Sequence, residues 1–296
     1  MAQHLRCPPD ARTVFRQQRG GCSDVQWAES VAAALPRAAP VTYVNVGANK
    51  GYRVPEFLSL WSQHPIDGHT EGWQSHVLRY ADLHGFRFLK HYSCGNCGDC
   101  HGRRPTPHNR TGARMHLLEL AHSNRALLRY LLDVEKLADR VTLHQLAASN
   151  VSTPLSVYKN IYAGDERGSV LMGSRAKRLA NASDVVPAVA LDDFFRDQQL
   201  HQAYHVAIDT EGWDALVVEG MRGVLQRRQV ALVEFEVSNR GMWNRESPRA
   251  RMRQRQVSAC RTQFAAQPRA SKACSYSVAN NGPKLCPGCM LGVRCA

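Results

Sequence analysis

Between residues 41 and 240 short apolar segments alternate with helical stripes, and this alternation constrains the fold more than any other feature of the chain. VTYVNVGA (41–48) is β-branched and aromatic and ends on glycine, the pattern of a buried strand. GYRVPEFLSLWSQ follows with helical spacing, and its Pro55 suits a first turn. ARMHLLEL (113–120) predicts a second strand, and the stripe Leu127, Leu128, Leu131, Leu132 and Leu137 predicts the helix behind it. RVTLHQLAAS reads as a third strand, PLSVYK as a short one, and the polar, Gly-rich residues 160–184 as a long connection or flap. VVPAVAL, the helix DDFFRDQQ, the strand YHVAIDTE, one amphipathic helix GWDALVVEGMRGVLQRR and the strand VALVEFEVS complete the series. This order predicts an α/β domain, a doubly wound and mostly parallel sheet with helices on both faces. Asn280-Asn281-Gly282 between SYSVA and PKLCPGC signals an antiparallel hairpin, which brings the expected sheet to seven strands. The expected organisation is an N-terminal extension over 1–40 and one domain over 41–290. That domain carries a Cys/His/Gly-rich insertion at 64–113, with at most the helix QSHVLRYADLHG, and an atypical basic segment at 244–272.

In such a sheet ligands bind beyond the carboxyl ends of the strands, which selects four places. The first is the loop Gly47-Ala48-Asn49-Lys50-Gly51, where glycines allow close backbone approach and the following helix start favours a negative group. Asn49 stands where a dinucleotide fingerprint needs its second glycine, which argues against a nicotinamide oxidoreductase. A tight turn with no ligand would use the same residues. The second is Glu119, at the tip of the second strand, a suitable acceptor for both hydroxyls of a ribose, or else a solvated glutamate. The third is Leu146 to Ser149. The fourth is Asp209 and Glu211, two residues apart at the tip of the strand YHVAIDTE and therefore on one face. Acidic residues at a helix start for capping are the competing reading.

Net charge is +13, which invites a nucleic-acid reading. Ten of the 38 basic residues and one of the 25 acidic ones fall in 244–296, a net +9, so residues 1–243 carry only +4. The excess is a property of the C-terminal stretch, which lacks interleaved aromatics for base stacking. No apolar run approaches the length of a membrane span, and the first residues contain no apolar signal core, so a soluble, cytoplasmic chain is expected. The ten cysteines are clustered, and Cys94, Cys97 and Cys100 with His101 have the spacing of zinc ligands. Free thiols or a disulfide within the loop fit the same residues.

VNVGANKG, HLLELAHSNRALL, VTLHQLAASN, AVALDDFF, VAIDTEGWDALVVEGMRGVL and VALVEFEVS together, in this order, resemble the FkbM-type S-adenosylmethionine-dependent methyltransferases. IDTEG followed by an apolar helix and L-x-x-F-E is specific to that family, while the glycine loop belongs to the wider superfamily. The Cys-rich insertion, CPPD…RGGC and the NNG hairpin resemble an algal and protist-like subgroup. The resemblance implies a Rossmann-like class I methyltransferase sheet with S-adenosyl-L-methionine as cofactor. It puts Asn45, Gly47, Ala48, Asn49 and Gly51 at the methionine end, Glu119 on the ribose, Ala147 and Ala148 beside the adenine, and Asp209 and Glu211 at the methyl-transfer face. Asn45 stands where the family usually has Asp, and 244–272 stands where an apolar helix is expected.

Methyl transfer from a sulfonium is an in-line displacement in which alignment and exclusion of water carry most of the effect. The expected reaction is O-methylation of a hydroxyl on a small molecule or sugar, with Asp209 or Glu211 orienting the acceptor and, second to that, removing its proton. His205 is placed at the wrong end of its strand for that work, and His144 in the core or at its rim. The alternative is a nucleic-acid-binding protein using the Arg-rich C-terminal segment and a zinc knuckle.

Overall fold

β1 (Thr42–Val46) lies in the middle of the main sheet, and everything else is placed by reference to it. The structure, a computed structural model, describes residues 41–61, 69–86, 112–158, 163–164, 183–236 and 290–293. Among these the main sheet has six strands. From one edge to the other they are β10 (Met290–Val293), β9 (Val230–Glu236), β8 (Ala203–Ile208), β1, β2 (Arg114–Leu118) and β3 (Val141–His144). β10 runs antiparallel to β9 and the remaining pairs are parallel. The chain winds outward from β1 through β2 to β3 and later returns to the other side of β1 as β8 and β9. The neighbours β1 and β8 therefore form the switch point of a doubly wound sheet, where a crevice opens at the strand ends.

The alternation of each strand divides the core in two. On one face Tyr43, Met115, Leu117 and Ala207 pack under α1 (Arg53–Trp61), α2 (His69–His84) and α3 (His122–Val134). On the other, Val44, Val46, Leu118, Val206, Ile208, Val233 and Phe235 pack against α4 (Leu191–Asp197), α5 (Asp214–Glu219) and α6 (Arg222–Gln226). Full burial of a Val, Leu or Phe side chain contributes about 1.5–3 kcal/mol, so these two layers supply the main driving force for the fold.

Three expectations are corrected or refined. RVTLHQLAAS is two strands: β3 joins the main sheet, whereas β4 (Ala147–Ser149) pairs with β7 (Ala188–Ala190) in a separate two-stranded sheet. The amide of Ala147 donates to the carbonyl of Pro187 at 2.9 Å, which draws the chain off β2 after His144. β5 (Leu155–Tyr158) and β6 (Ser183–Val186) form a second small sheet.

GWDALVVEGMRGVLQRR is likewise two helices. A Cβ on Gly220 would stand 2.0 Å from the Ser149 carbonyl oxygen, so the backbone turns there against β4. The Asp192 carboxylate then caps the new helix, accepting from Gly223 at 2.8 Å and Val224 at 2.5 Å.

The helix in the 64–113 stretch is longer than its apolar pattern, and it is part of the core, with Trp73 and Val77 fully buried. The main sheet has six strands among the described residues, β10 being antiparallel at its edge. The Asn-Gly hairpin, the Cys94–Cys100 cluster, residues 1–40 and the basic segment 244–272 lie outside the described residues. No helix among the described residues is long and apolar enough to cross a membrane.

Candidate functional site

The candidate site lies at the ends of β1, β2 and β8. β1 stops at Val46 because Gly47 turns away with φ 81°, and the amides of Gly47 and Ala48 both reach the Leu118 carbonyl, at 2.9 and 3.3 Å. The Asp209 amide donates to the Val46 carbonyl at 2.9 Å, so the chain leaving β8 is tied to the same point. A Cβ on Gly47 would stand 1.9 Å from the Asp209 carbonyl oxygen. The glycine at this position is therefore demanded by protein packing against the β8 tip. Gly51 is similar: φ is 73°, and a Cβ would meet Leu128 at 2.6 Å and Trp73 at 2.9 Å. The Trp73 indole N–H donates to the Lys50 carbonyl at 2.8 Å, which makes α2 the wall of the loop rather than a peripheral insertion.

Glu119 is buried, at 4% exposure, so its reading as a solvated glutamate is corrected. Its Oε2 accepts the Asn49 amide at 2.7 Å and its Oε1 the Ala121 amide at 2.8 Å. Ala121 caps α3 without any side-chain bond of its own, so the carboxylate also lies at the positive end of a 13-residue helix. Burial pushes the Glu119 carboxyl above its ordinary range, while the amides of Ala121 and Asn49, the Asn124 side chain and the Arg125 charge oppose that rise. Asn49, with φ 47°, bends the loop so that its amide points at Glu119. Its own Oδ1 is buried and has no hydrogen-bond donor among the described residues.

Asp209 and Glu211 lie beyond the strand, which ends at Ile208. Glu211 has φ 54°, so the two-residue alternation that would put both carboxylates on one face does not extend to it. Asp209 is exposed and Glu211 half-buried. The carboxylate that organises this turn is Asp214, fully buried, whose Oδ2 accepts from Thr210 Oγ1 at 3.0 Å and the Gly212 amide at 3.2 Å. The capping role considered for Asp209 and Glu211 thus falls to a residue one turn further on. Ala147 is buried and Ala148 half-buried on β4, next to Leu120, which packs on the same small cluster as Ala147. Asn45 is buried inside β1, one residue short of its tip.

The structure thus joins Asn49 to Glu119 by a direct hydrogen bond, ties Gly47 to the carbonyl of the preceding Leu118, and brings the Asp209 backbone against Gly47. A family model, the methyltransferase FkbM domain, matches residues 45–255, which takes in all of these positions. The chain belongs to the FkbM methyltransferase family. Among solved structures it is similar to a protein titled methyltransferase FkbM from Methylobacillus flagellatus KT, at 12% identity, 77% coverage of this chain and a TM-score of 0.35. The chain spans 48% of that protein's length. No curated protein matches. The FkbM match runs to residue 255, into the basic stretch that departs from the family pattern.

Several residues of this FkbM domain carry structure that the sequence pattern did not single out. Glu234 in β9 is buried and takes Arg53 Nη2 at 2.5 Å, and His205 Nε2 lies 3.0 Å from its other oxygen. Burial opposes ionisation of Glu234, but Arg53 and His205 outweigh it and hold the carboxyl at about 2. His205 thus lies in a buried polar cluster with Glu234 and Arg53 of α1. His144 pairs with His116, Nδ1 to Nε2 at 3.0 Å, and both rings meet Phe194 edge-on. Burial, then His144 and Arg114, lowers His116 to about 4. Burial also lowers His144. Hydropathy patterns do not register such pairs, because each partner lies on a different element. Among the described residues no group of three or more His, Cys, Asp or Glu side chains is arranged to hold a metal ion.

Proposed function

We propose that this FkbM-family methyltransferase uses S-adenosyl-L-methionine and methylates a hydroxyl of a small molecule or sugar. The observation that carries this reading is the junction of Asn49 with Glu119. There a buried carboxylate and a buried amide oxygen with no donor stand beside the loop that closes the central strand. A buried polar atom without a partner costs about 1–3 kcal/mol. Asn49 Oδ1 suits a donor such as an ammonium group, and Glu119 suits a ribose diol; the donor set fits the cofactor.

The cofactor supplies an electrophilic methyl group on a sulfonium. The chain's own residues have three tasks. Glu119 and the loop 47–51 orient the nucleoside and amino-acid ends, with Ala147 and Ala148 as the neighbours for the base. The tight packing of Gly47 on the Asp209 backbone fixes the distance between the loop and the β8 tip. Asp209, exposed at the strand end, orients the acceptor hydroxyl and takes its proton as transfer proceeds. Glu211 is its partner on the turn held by Asp214. Holding the reacting groups in line accounts for most of the acceleration in such a reaction.

Calorimetric titration of the protein with S-adenosyl-L-methionine and, separately, with NAD tests the class. Binding of the first alone is expected; binding of NAD alone, or of neither, overturns the reading. Methyl transfer to a panel of sugars and small alcohols, amines and thiols then tests the acceptor. Turnover confined to amines or thiols would overturn O-methylation while leaving the cofactor in place.

A further inference from the structure

Asn124 is a buried amide in the first turn of α3, 3% exposed, and no step of the proposed reaction uses it. It is the third residue of the helix. A polar side chain at that position ordinarily reaches back to the amide of the N-cap residue, because helical side chains lean towards the amino end. Here the N-cap amide, that of Ala121, is taken by Glu119 Oε1 at 2.8 Å. The Glu119 carboxylate thus occupies the place that the Asn124 side chain would otherwise fill, and the two are neighbours over one helix start. Asn124 Oδ1 turns to a different donor, the Gly164 amide, at 2.6 Å, a buried bond across 40 residues of chain. Its Nδ2 is then the group that donates to Glu119, since a carboxylate only accepts. The turn that supplies Gly164 is itself seated. Ala163 is fully buried in the core layer under α1, α2 and α3, and Gly164 is buried with φ 79°, a left-handed backbone that a side chain would strain.

We propose that Asn124 is a positioning residue that aims the Glu119 carboxylate at the ribose and joins it to the Ala163-Gly164 turn, so that cofactor binding and the seating of that turn stabilise one another. This rests on the cofactor reading above. The amides of Asn49 and Ala121 hold Glu119 from the loop and from the helix start, and Asn124 adds a third donor. A carboxylate held on three sides does not reorient to meet a ligand, and an acceptor fixed in advance lowers the ordering cost of binding. The path from the turn to the loop is short. It runs from the Gly164 amide to Asn124 Oδ1, from Asn124 Nδ2 to Glu119, and from Glu119 Oε2 to the Asn49 amide. A ligand that engages Glu119 favours the arrangement in which every link is made. By linkage, the seated turn favours the ligand to the same extent.

The test follows amide hydrogen exchange by NMR on the full chain, with and without saturating S-adenosyl-L-methionine, beside calorimetric Kd values. In wild type the cofactor should slow exchange at Gly164 by about tenfold more than at Val206 in the middle of the sheet. Equal slowing at the two amides overturns the coupling, because a merely structural asparagine would protect Gly164 without regard to the cofactor. Asn124→Ala removes both bonds, so Gly164 should lose its protection and the Kd should weaken about tenfold, the effect of one hydrogen bond to a charged acceptor. Asn124→Asp keeps an oxygen for Gly164 but no donor for Glu119. Gly164 should then stay protected while the Kd weakens by at least as much. Wild-type affinity in Asn124→Asp, or a protected Gly164 in Asn124→Ala, overturns the proposal. If Asn124→Ala does not fold, wild type and Asn124→Asp still decide it. Absence of binding in wild type overturns the cofactor reading itself, whereas binding with Gly164 and Val206 slowed alike overturns only the role of Asn124.

Discussion

At the tip of β2 the carboxylate of Glu119 is buried and held by backbone amides, while at the tip of β8 the carboxylate of Asp209 faces solvent. Both tips flank the same central strand. At the β2 tip the carboxylate is held in place by two backbone amides, and the helix behind it supplies a dipole. The β8 tip is a turn held by Asp214, with Asp209 exposed and Glu211 half-buried beside it. On the proposed reading, a site that recognises one constant ligand and one variable acceptor gains from that division. The constant part is best desolvated and rigid; the part that removes a proton needs access to the acceptor.

Four changes would break or sharpen this contrast. Gly47→Val strikes the contact between the tips, since a side chain there meets the Asp209 carbonyl at 1.9 Å and the residue sits at φ 81°. Backbone strain and overpacking at about 1–3 kcal/mol each predict a loss of about 4 kcal/mol, read as a lowered denaturation midpoint in urea. Cofactor binding would fail with the fold, so this variant does not by itself report a ligand contact. Asp209→Ala should leave folding and cofactor affinity within a few-fold of wild type and lower turnover by about 10²–10⁴. Unchanged kcat would remove Asp209 from the chemistry and shift attention to Glu211.

Asp214→Ala strips the Thr210 hydroxyl and the Gly212 amide of their shared acceptor, with an expected cost of about 1–3 kcal/mol in a melt. If the β8 tip is held as described, this variant should also raise KM for the acceptor more than Kd for the cofactor. The smallest effect concerns the histidine pair. The folded-state value of His116 lies below the ordinary one, so the unfolded chain binds the proton first as pH falls. Stability from this residue is present above about 6.5 and is lost towards about 4. His116→Asn should flatten the pH dependence of the melting temperature over that window, and an unchanged slope would show that the pair is not what titrates.

The sheet, its parallel strands and its helices were legible from residue types because burial on both faces leaves near-continuous apolar runs, and 41–48 and 203–208 are such runs. Where expectation and structure part, a contact from elsewhere in the chain is responsible. The break at Gly220 answers to the Ser149 carbonyl, and the split of 140–149 to Pro187. The helix at 69–84 was legible only as part of an insertion, because the partner of Trp73 is a backbone carbonyl in the loop.

By itself the sequence determined the class of fold, the order of its elements, the strand tips where chemistry is to be sought, and the FkbM resemblance that the family match bears out. Periodicity and local motifs are properties of neighbouring residues, and a linear reading captures them. Only the tertiary structure decided that Glu119 is buried at the start of a helix, that Asp209 is exposed, and that the glycines of the loop answer to Asp209, Leu128 and Trp73. It alone also brought Arg53, His205 and Glu234 together. Burial and charge pairing depend on groups far apart in the chain, and those distances exist only once the sheet has closed around them.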